Sequence, residues 1–205
     1  MLDTDGQYRL VFNTQTDTDL ATLIKELAVL NFIGAAIFKK NDANEYCVGD
    51  AFLSDITFMG CSPYIEFEPP QTLGMNDVAN FCFIRLSSTR QPDVCYHQFQ
   101  LTDLKTVPRC KQCRKVITDW IHQATNLEND GQVRCVSCNK LLNKADLDWR
   151  KASGTGNIFI EVLNVYLQEA VPTDAFMQQL EQLTSSSWQY FYTDSNIKTK
   201  LLDIS

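Results

Sequence analysis

Histidine is scarce in this chain: His97 and His122 are the only two among 205 residues. Imidazole is a frequent general base and a common ligand of catalytic metals, so few enzyme sites of those kinds can be assembled. A glycine-rich phosphate loop is also missing, because Gly154-Thr155-Gly156 lacks the third glycine and the preceding strand of a dinucleotide-binding motif. We interpret that segment as a hinge. These absences favour a non-enzymatic protein, with an enzyme as the less favoured alternative.

Long apolar runs are missing as well. The longest stretches, residues 27–38 and 158–165, are too short to cross a bilayer and are interrupted by polar residues. The first six residues are acidic where a signal peptide would be basic, and no apolar segment follows them. We therefore expect a cytoplasmic protein without a membrane partner.

Charge is divided unevenly along the chain. The net charge is −7, from 18 basic and 25 acidic residues. Residues 105–151 contain ten basic residues and five acidic ones, which makes this segment +5 and leaves −12 for the rest. Nucleic acid or an anionic surface would be repelled by the acidic part, whereas the basic segment alone can attract either.

Four of the eight cysteines form two Cys-x-x-Cys pairs, Cys110/Cys113 and Cys135/Cys138, separated by 21 residues. A two-residue spacer lets both sulfurs of a pair face one point, and basic neighbours favour the thiolate that a metal requires. Four thiolates complete a tetrahedron and leave no open position for a reaction. The spacing predicts one structural Zn²⁺, held by all four cysteines.

This segment, about residues 106–145, resembles a zinc ribbon, in which two such pairs close a short β-hairpin over one ion. The resemblance implies a structural class and no activity. We expect apolar side chains to cover the metal on two sides: Val116, Ile117, Trp120 and Ile121 on one, Trp149 on the other. A thioredoxin-like redox pair and an iron–sulfur centre bound by the same four thiolates are the alternatives.

The other four cysteines, Cys47, Cys61, Cys82 and Cys95, are scattered among apolar residues and are interpreted as core residues. Cys95 and His97 would share one face of a strand, and Cys61 lies in an unusual Gly-Cys-Ser-Pro turn. If Cys61, Cys95 and His97 converged, they would form a second metal site or the pocket of an enzyme.

The remaining sequence predicts an α+β body of helices on a mainly antiparallel sheet. Aspartates and threonines before Leu20 provide a helix start, and Pro172-Thr173-Asp174 provides another. Residues 32–38, 51–58, 158–167 and 188–192 are predicted strands, the first and last of them buried, with fraying from Thr193 onward. Strand–helix–strand patterns at both ends suggest a ferredoxin-like sheet.

We therefore divide the chain into a first body segment (1–105), a zinc-ribbon insertion (106–150) and a closing body segment (151–205). The leading hypothesis is a zinc protein that acts through a protein partner or self-association. The first alternative is nucleic-acid binding through the basic ribbon, by Arg109, Lys111, Arg114, Lys115, Arg134 and Lys140. The second is an enzyme with a pocket near Cys61, Cys95 and His97.

Overall fold

The computed structural model describes residues 3–4, 8–37, 44–59, 65–69, 78–79, 81–89, 107–125, 132–143, 146–154, 156–166 and 169–194. Its strands are β1 (Asp3–Thr4), β2 (Tyr8–Thr14), β3 (Ile33–Ala36), β4 (Asn44–Val48), β5 (Ile56–Phe58), β6 (Val78–Ala79), β7 (Phe83–Ser88), β8 (Arg109–Cys110), β9 (Val133–Arg134), β10 (Leu141–Leu142), β11 (Leu147–Asp148), β12 (Ile158–Val165), β13 (Ala170–Pro172) and β14 (Gln189–Asp194). Its helices are α1 (Leu20–Val29), α2 (Phe52–Asp55), α3 (Trp120–Thr125) and α4 (Asp174–Thr184).

A six-stranded sheet forms the centre of the body, in the order β14-β2-β12-β7-β4-β3. Every pair of neighbours in it is antiparallel. The strand after α1, β3, lies at one edge, with β4 and β7 between it and β12, while β14 forms the other edge. The predicted α+β class with a mainly antiparallel sheet is confirmed.

Helices α1 and α4 begin where the sequence predicts. Asp19 caps α1 by accepting a hydrogen bond from the backbone N–H of Thr22, and Thr173 caps α4 by accepting one from that of Phe176. Each cap satisfies a backbone donor that has no partner inside its helix.

Aromatic side chains join the helices to one face of the sheet. The ring of Phe176 on α4 stacks on Phe32 at a centroid distance of 4.3 Å and meets Phe12 of β2 edge-on at 5.7 Å. All three are fully buried in the main core of the body. This core therefore ties α4, β2 and the segment after α1 together.

The opposite face of the sheet contains buried charges on four adjacent strands. Arg9 Nη1 lies 3.0 Å from Glu161 Oε1, and Arg85 Nη2 lies 2.8 Å from Glu45 Oε1. Arg85 also lies 4.0 Å from Glu161, so the two pairs form one network across β2, β12, β7 and β4. Burial without a partner would be very costly for each charge, so the network depends on the strand register that brings the pairs together.

The basic segment lies between two strands that are themselves neighbours. Ser88 at the end of β7 pairs with Ile158 at the start of β12, and the Thr89 N–H donates to the Asn157 carbonyl at 2.8 Å. Antiparallel neighbours can be joined by a two-residue turn. The sheet therefore does not need the intervening residues to connect β7 to β12.

Several predictions about local structure are wrong. Residues 51–58 were predicted as one strand, but Phe52–Asp55 forms a helical turn before β5. The first of the predicted buried strands, β3, is an edge strand on which only Ile33 is buried. The second is buried as predicted at Trp188, Phe191 and Tyr192, but its strand, β14, is an edge strand where a central one was predicted, and it continues through Thr193 to Asp194.

The predicted hinge is also wrong, because Gly154 and Gly156 are buried against β2. An added Cβ on Gly156 would lie 2.3 Å from the Thr14 carbonyl oxygen, a distance that no side chain allows. These glycines permit a close approach of the backbone to the sheet. Among the described residues, no helix has the length and apolar character that crossing a membrane requires.

Candidate metal centre

The first cysteine pair lies on a tight turn after β8. The Cys110 N–H donates to the Lys115 carbonyl at 2.9 Å, and the Arg114 N–H donates back to the Cys110 carbonyl at 2.8 Å. To close this turn, Arg114 adopts a left-handed backbone with φ 59°. The turn brings the sulfurs of Cys110 and Cys113 to the same side of the backbone.

The second pair repeats this arrangement residue by residue. The Cys135 N–H donates to the Lys140 carbonyl at 2.8 Å, and the Asn139 N–H donates to the Cys135 carbonyl at 2.7 Å. Asn139, like Arg114, is left-handed, with φ 58°. Asparagine adopts this conformation far more readily than arginine does, so the second turn has the better suited sequence. Two matched turns therefore present two pairs of thiols to each other.

The four sulfurs converge on one point. Cys110 Sγ lies 3.7 Å from Cys138 Sγ, and Cys113 Sγ lies 3.5 Å from Cys135 Sγ. All four lie within 4.8 Å of one another. Zinc bound tetrahedrally at its usual Zn–S distance spaces its sulfurs about 3.8 Å apart, whereas a disulfide would bring them to about 2 Å. The spacing fits four ligands of one ion and does not fit disulfides.

Burial and backbone amides distinguish the four thiols. Cys110 and Cys135 are buried, whereas Cys113 and Cys138 are partly exposed. Hydrogen bonding from the backbone N–H of Cys113 lowers the pKa of Cys110 to about 7. At Cys138 the hydrogen bond from the Lys140 N–H also lowers the pKa. Desolvation and hydrogen bonds to the neighbouring thiols outweigh this effect and raise the pKa of Cys138 to about 12.

These opposite shifts are what crowded thiols produce: Cys110 ionises easily, and the pKa values of Cys113 and Cys138 are then raised. A bound divalent cation lowers the pKa of all four thiols, because its charge favours the thiolate at every position. Metal binding at this site therefore releases protons.

A small apolar core supports the sulfur cluster. Trp120 of α3 meets Trp149 edge-on, with ring centroids 4.7 Å apart. The buried members of this core are Cys110, Ile117, Trp120, Val133, Cys135, Leu142, Leu147 and Trp149. The predicted cover is confirmed for Ile117, Trp120 and Trp149 and is wrong for Val116, which is 48% exposed. The Ile121 side chain lies outside the described part.

Gln123 on α3 fixes the helix to the second turn. Its side-chain Oε1 accepts from the Arg134 N–H at 2.6 Å, and its Nε2 donates to the Arg134 carbonyl at 3.3 Å and to Asp119 Oδ2 at 2.8 Å. The amide thus satisfies the backbone of β9 as a neighbouring strand would. Sequence reasoning missed this residue, since no local pattern distinguishes it from a solvent-exposed glutamine.

The second proposed site cannot be placed, because Cys61, Cys95 and His97 all lie outside the described residues. Of the two other single cysteines, Cys82 is fully buried, and burial raises the pKa of its thiol well above the usual range. Cys47 is only half-buried. His122 lies on the exposed side of α3.

Comparison with known proteins gives no match: no family model fits the chain, and no curated protein or solved structure is significantly similar to it. The fold and the site define the class by themselves. This is an α+β protein that contains a cluster of four cysteines that could hold a metal ion.

Proposed function

We propose that this protein binds one structural Zn²⁺ through Cys110, Cys113, Cys135 and Cys138. The observation that carries this proposal is the near-tetrahedral spacing of four sulfurs on two matched turns. Four thiolates fill the coordination sphere and leave no place for substrate or activated water. The metal then stabilises the segment around it and takes no part in a reaction.

Zinc is preferred to an iron–sulfur cluster because the four sulfurs, all within 4.8 Å of one another, surround a single ion and leave no room for several irons and bridging sulfides. We assign the segment to the zinc-ribbon class and retain the division of the chain into residues 1–105, 106–150 and 151–205. For β14, β2 and β12 we also retain the ferredoxin-like arrangement as a proposal.

Elemental analysis of untagged protein tests the metal assignment directly. One zinc per chain and no visible absorption band are expected. Iron with a visible band would contradict the assignment and point to the iron–sulfur alternative. Cys47→Ala is the matched control, because it removes a thiol outside the cluster and should leave the metal content unchanged.

We further propose that the zinc module, meaning residues 107–154 and so including the first four residues of the closing body segment, is a binding surface for a protein and that a second copy of this chain is the occupant. Charge supports a copy, since the +5 of residues 105–151 complements the −12 of the remainder. Apolar exposure supports a protein surface: Val136, between the cysteines of the second turn, is 82% exposed and Leu141 is 43% exposed.

Light scattering across a salt series tests self-association. The expected result is a dimer at low salt that dissociates as salt is added. Lys115→Glu combined with Lys140→Glu should abolish the dimer, whereas Lys25→Glu on α1 of the body should not. A monomer at all salt and protein concentrations would exclude the second copy as partner.

Nucleic acid is the second candidate, and one observation favours it. Within the described residues, none of the lysines and arginines of the zinc module forms an ion pair with a carboxylate. Cations that are not neutralised internally remain available to phosphates. Salt-sensitive retention on a polyanion column is expected under this candidate, and its absence would exclude it.

A further inference from the structure

A cleft of about 340 Å³ lies where the zinc module meets the body. The module contributes Lys111, Trp149, Arg150 and Lys151, and the body contributes Met177 of α4 and the start of β14. The cleft is therefore built from both parts of the chain and does not belong to the metal centre. Its volume is near the lower end of the range for small-molecule sites.

The rim of the cleft is cationic. Lys111, Arg150 and Lys151 are all exposed, and none of the three forms an ion pair within the described residues. Asp148 is the only carboxylate among the lining residues, and its Oδ1 already accepts the Arg150 backbone N–H at 3.0 Å. Three cations converge there against one acid, so the rim attracts an anion.

The floor of the cleft is aromatic and fixed in position. The Lys151 ammonium lies 4.0 Å from the centroid of the Tyr190 ring and donates to its hydroxyl. The Trp188 Nε1–H donates to Thr184 Oγ1 at 2.9 Å, and this hydrogen bond fixes the orientation of the indole ring. Trp188 is only 5% exposed, so the partly exposed ring of Tyr190 is the surface on which a planar group can pack.

The two rim residues closest to the body are held in an unusual backbone conformation. Arg150 and Lys151 have φ values of 52° and 61°, and the turn is closed by the Ala152 N–H, which donates to the Trp149 carbonyl at 2.9 Å. The Tyr192 N–H donates to the Lys151 carbonyl, also at 2.9 Å. Two consecutive left-handed residues other than glycine are costly, and such conformations persist where the surroundings impose them.

We propose that this cleft binds one nucleotide unit, with its phosphate on Lys111, Arg150 and Lys151 and its base against the exposed part of the Tyr190 ring, beside the buried Trp188. The combination of charge and rings carries the proposal. An acidic peptide would use the cations and leave the rings without a partner, whereas a nucleotide uses both. The unit can be a free nucleotide or part of a single strand.

Titration with two probes, adenosine monophosphate and a twelve-residue oligodeoxyadenylate, tests the proposal on the zinc-loaded full chain. Tryptophan fluorescence reports binding because Trp149 and Trp188 line the cleft. At least one probe should bind and quench this fluorescence, and its affinity should fall as salt is added. Binding of both probes indicates a free-nucleotide site, and binding of the strand alone indicates single-stranded nucleic acid.

Substitutions inside and outside the cleft test where the probe binds. Lys111→Gln with Arg150→Asn should weaken binding roughly tenfold or more, because it removes two charge-assisted contacts, and asparagine tolerates the left-handed backbone. Lys25→Gln on α1 removes an exposed positive charge outside the cleft and should have little effect. Met177→Glu places a carboxylate on the body side and should also weaken binding. Zinc content and melting temperature establish that each variant is folded.

Failure of both probes to bind would overturn the proposal, and so would an equal loss of affinity in the Lys25→Gln control. Neither result affects the structural zinc, which elemental analysis tests, or self-association, which light scattering tests. The cleft proposal therefore fails or holds independently of the proposed function.

Discussion

The body and the zinc module reach stability by different means. Among the described residues, twenty form the main core of the body, beneath two helices and a sheet whose strands reach eight residues. In the same part of the chain, the apolar core of the module has eight buried residues, and each of its strands spans only two. Cores of that size rarely support a fold without a metal or a disulfide. The body is therefore expected to depend on packing and the module on its ion.

Charge follows the same division. The body buries Arg9, Glu45, Arg85 and Glu161 and pairs them with one another across the sheet. In the module the lysines and arginines are solvent-accessible, and within the described residues they have no carboxylate partner. The body thus uses charge internally to fix its strand register, whereas the module presents its charge to the solvent.

Removing the metal should produce the largest difference in stability between the two regions. Structural zinc contributes on the order of 10 kcal/mol to a small metal-dependent fold, so Cys135→Ala or a strong chelator should unfold the module. Fluorescence of Trp120 and Trp149 should change, while circular dichroism retains the sheet signal of the body. Loss of both signals together would show that the regions unfold as one unit, and an unchanged module would contradict the structural role of the ion.

Phe176→Ala should have the reverse effect. Truncating this fully buried ring removes its contacts with Phe32 and Phe12 and should destabilise the body by about 3–5 kcal/mol. Urea unfolding measures the loss, and the zinc content should remain at one per chain. Gln178→Ala, at an exposed position of the same helix, is the matched control and should be almost neutral.

The two helix caps test a smaller effect within the body. Thr173→Ala should cost about 1 kcal/mol, because the Phe176 N–H loses its acceptor. Asp19→Ala should also destabilise, but in a way that depends on pH. Hydrogen bonds from Thr22 lower the pKa of Asp19 below its ordinary value of 3.8.

A lowered folded-state pKa means that the Asp19 contribution is complete above the unfolded-state pKa and disappears as pH falls through the folded-state value. The difference between Asp19→Ala and the native chain should therefore vanish in acid. The difference for Thr173→Ala should not, since threonine does not titrate. Urea unfolding of the body at neutral and acid pH checks this, and equal pH dependence for both caps would contradict it.

Arg114→Gly should produce the smallest change, and it should be a gain. Arginine is strained at φ 59°, and glycine relieves that strain at some entropic cost, which leaves a net stabilisation of about 0.5–1 kcal/mol. A higher melting temperature of the module with no change in the body is expected. Asn139→Gly is the control at the matching position and should gain less, because asparagine is already suited to it.

Local signals in the sequence predicted most of the metal site. The Cys-x-x-Cys spacing fixes which sulfurs meet, and the cap residues Asp19 and Thr173 fix where α1 and α4 begin. Such features depend on a few neighbouring residues and can be predicted without knowing the fold. The sulfur cluster, the caps and the α+β class were predictable for this reason.

Features set by distant partners were not predictable. Glu45 and Glu161 resemble any exposed acids until strand register places Arg85 between them. The aromatic strand β14 is apolar on both faces, as a central strand would be, yet the chain order leaves it at an edge. Gly154 and Gly156 resemble a flexible joint until the nearby β2 strand explains why no side chain fits there.

The pairing of Ser88 with Ile158 has a consequence for loop-closure entropy. To form this pair, the chain must bring together ends separated by the whole zinc module, and a metal bound at the proposed site would shorten that connection by linking Cys110 to Cys138. Since doubling a loop costs only about 0.6 kcal/mol, and this link removes less than half of the connection, the gain to the sheet is below that figure. The same loop-closure argument predicts the effect of deleting the residues between Thr89 and Asn157. A short turn that joins these two residues should let the sheet close at a lower entropic cost than the native connection does.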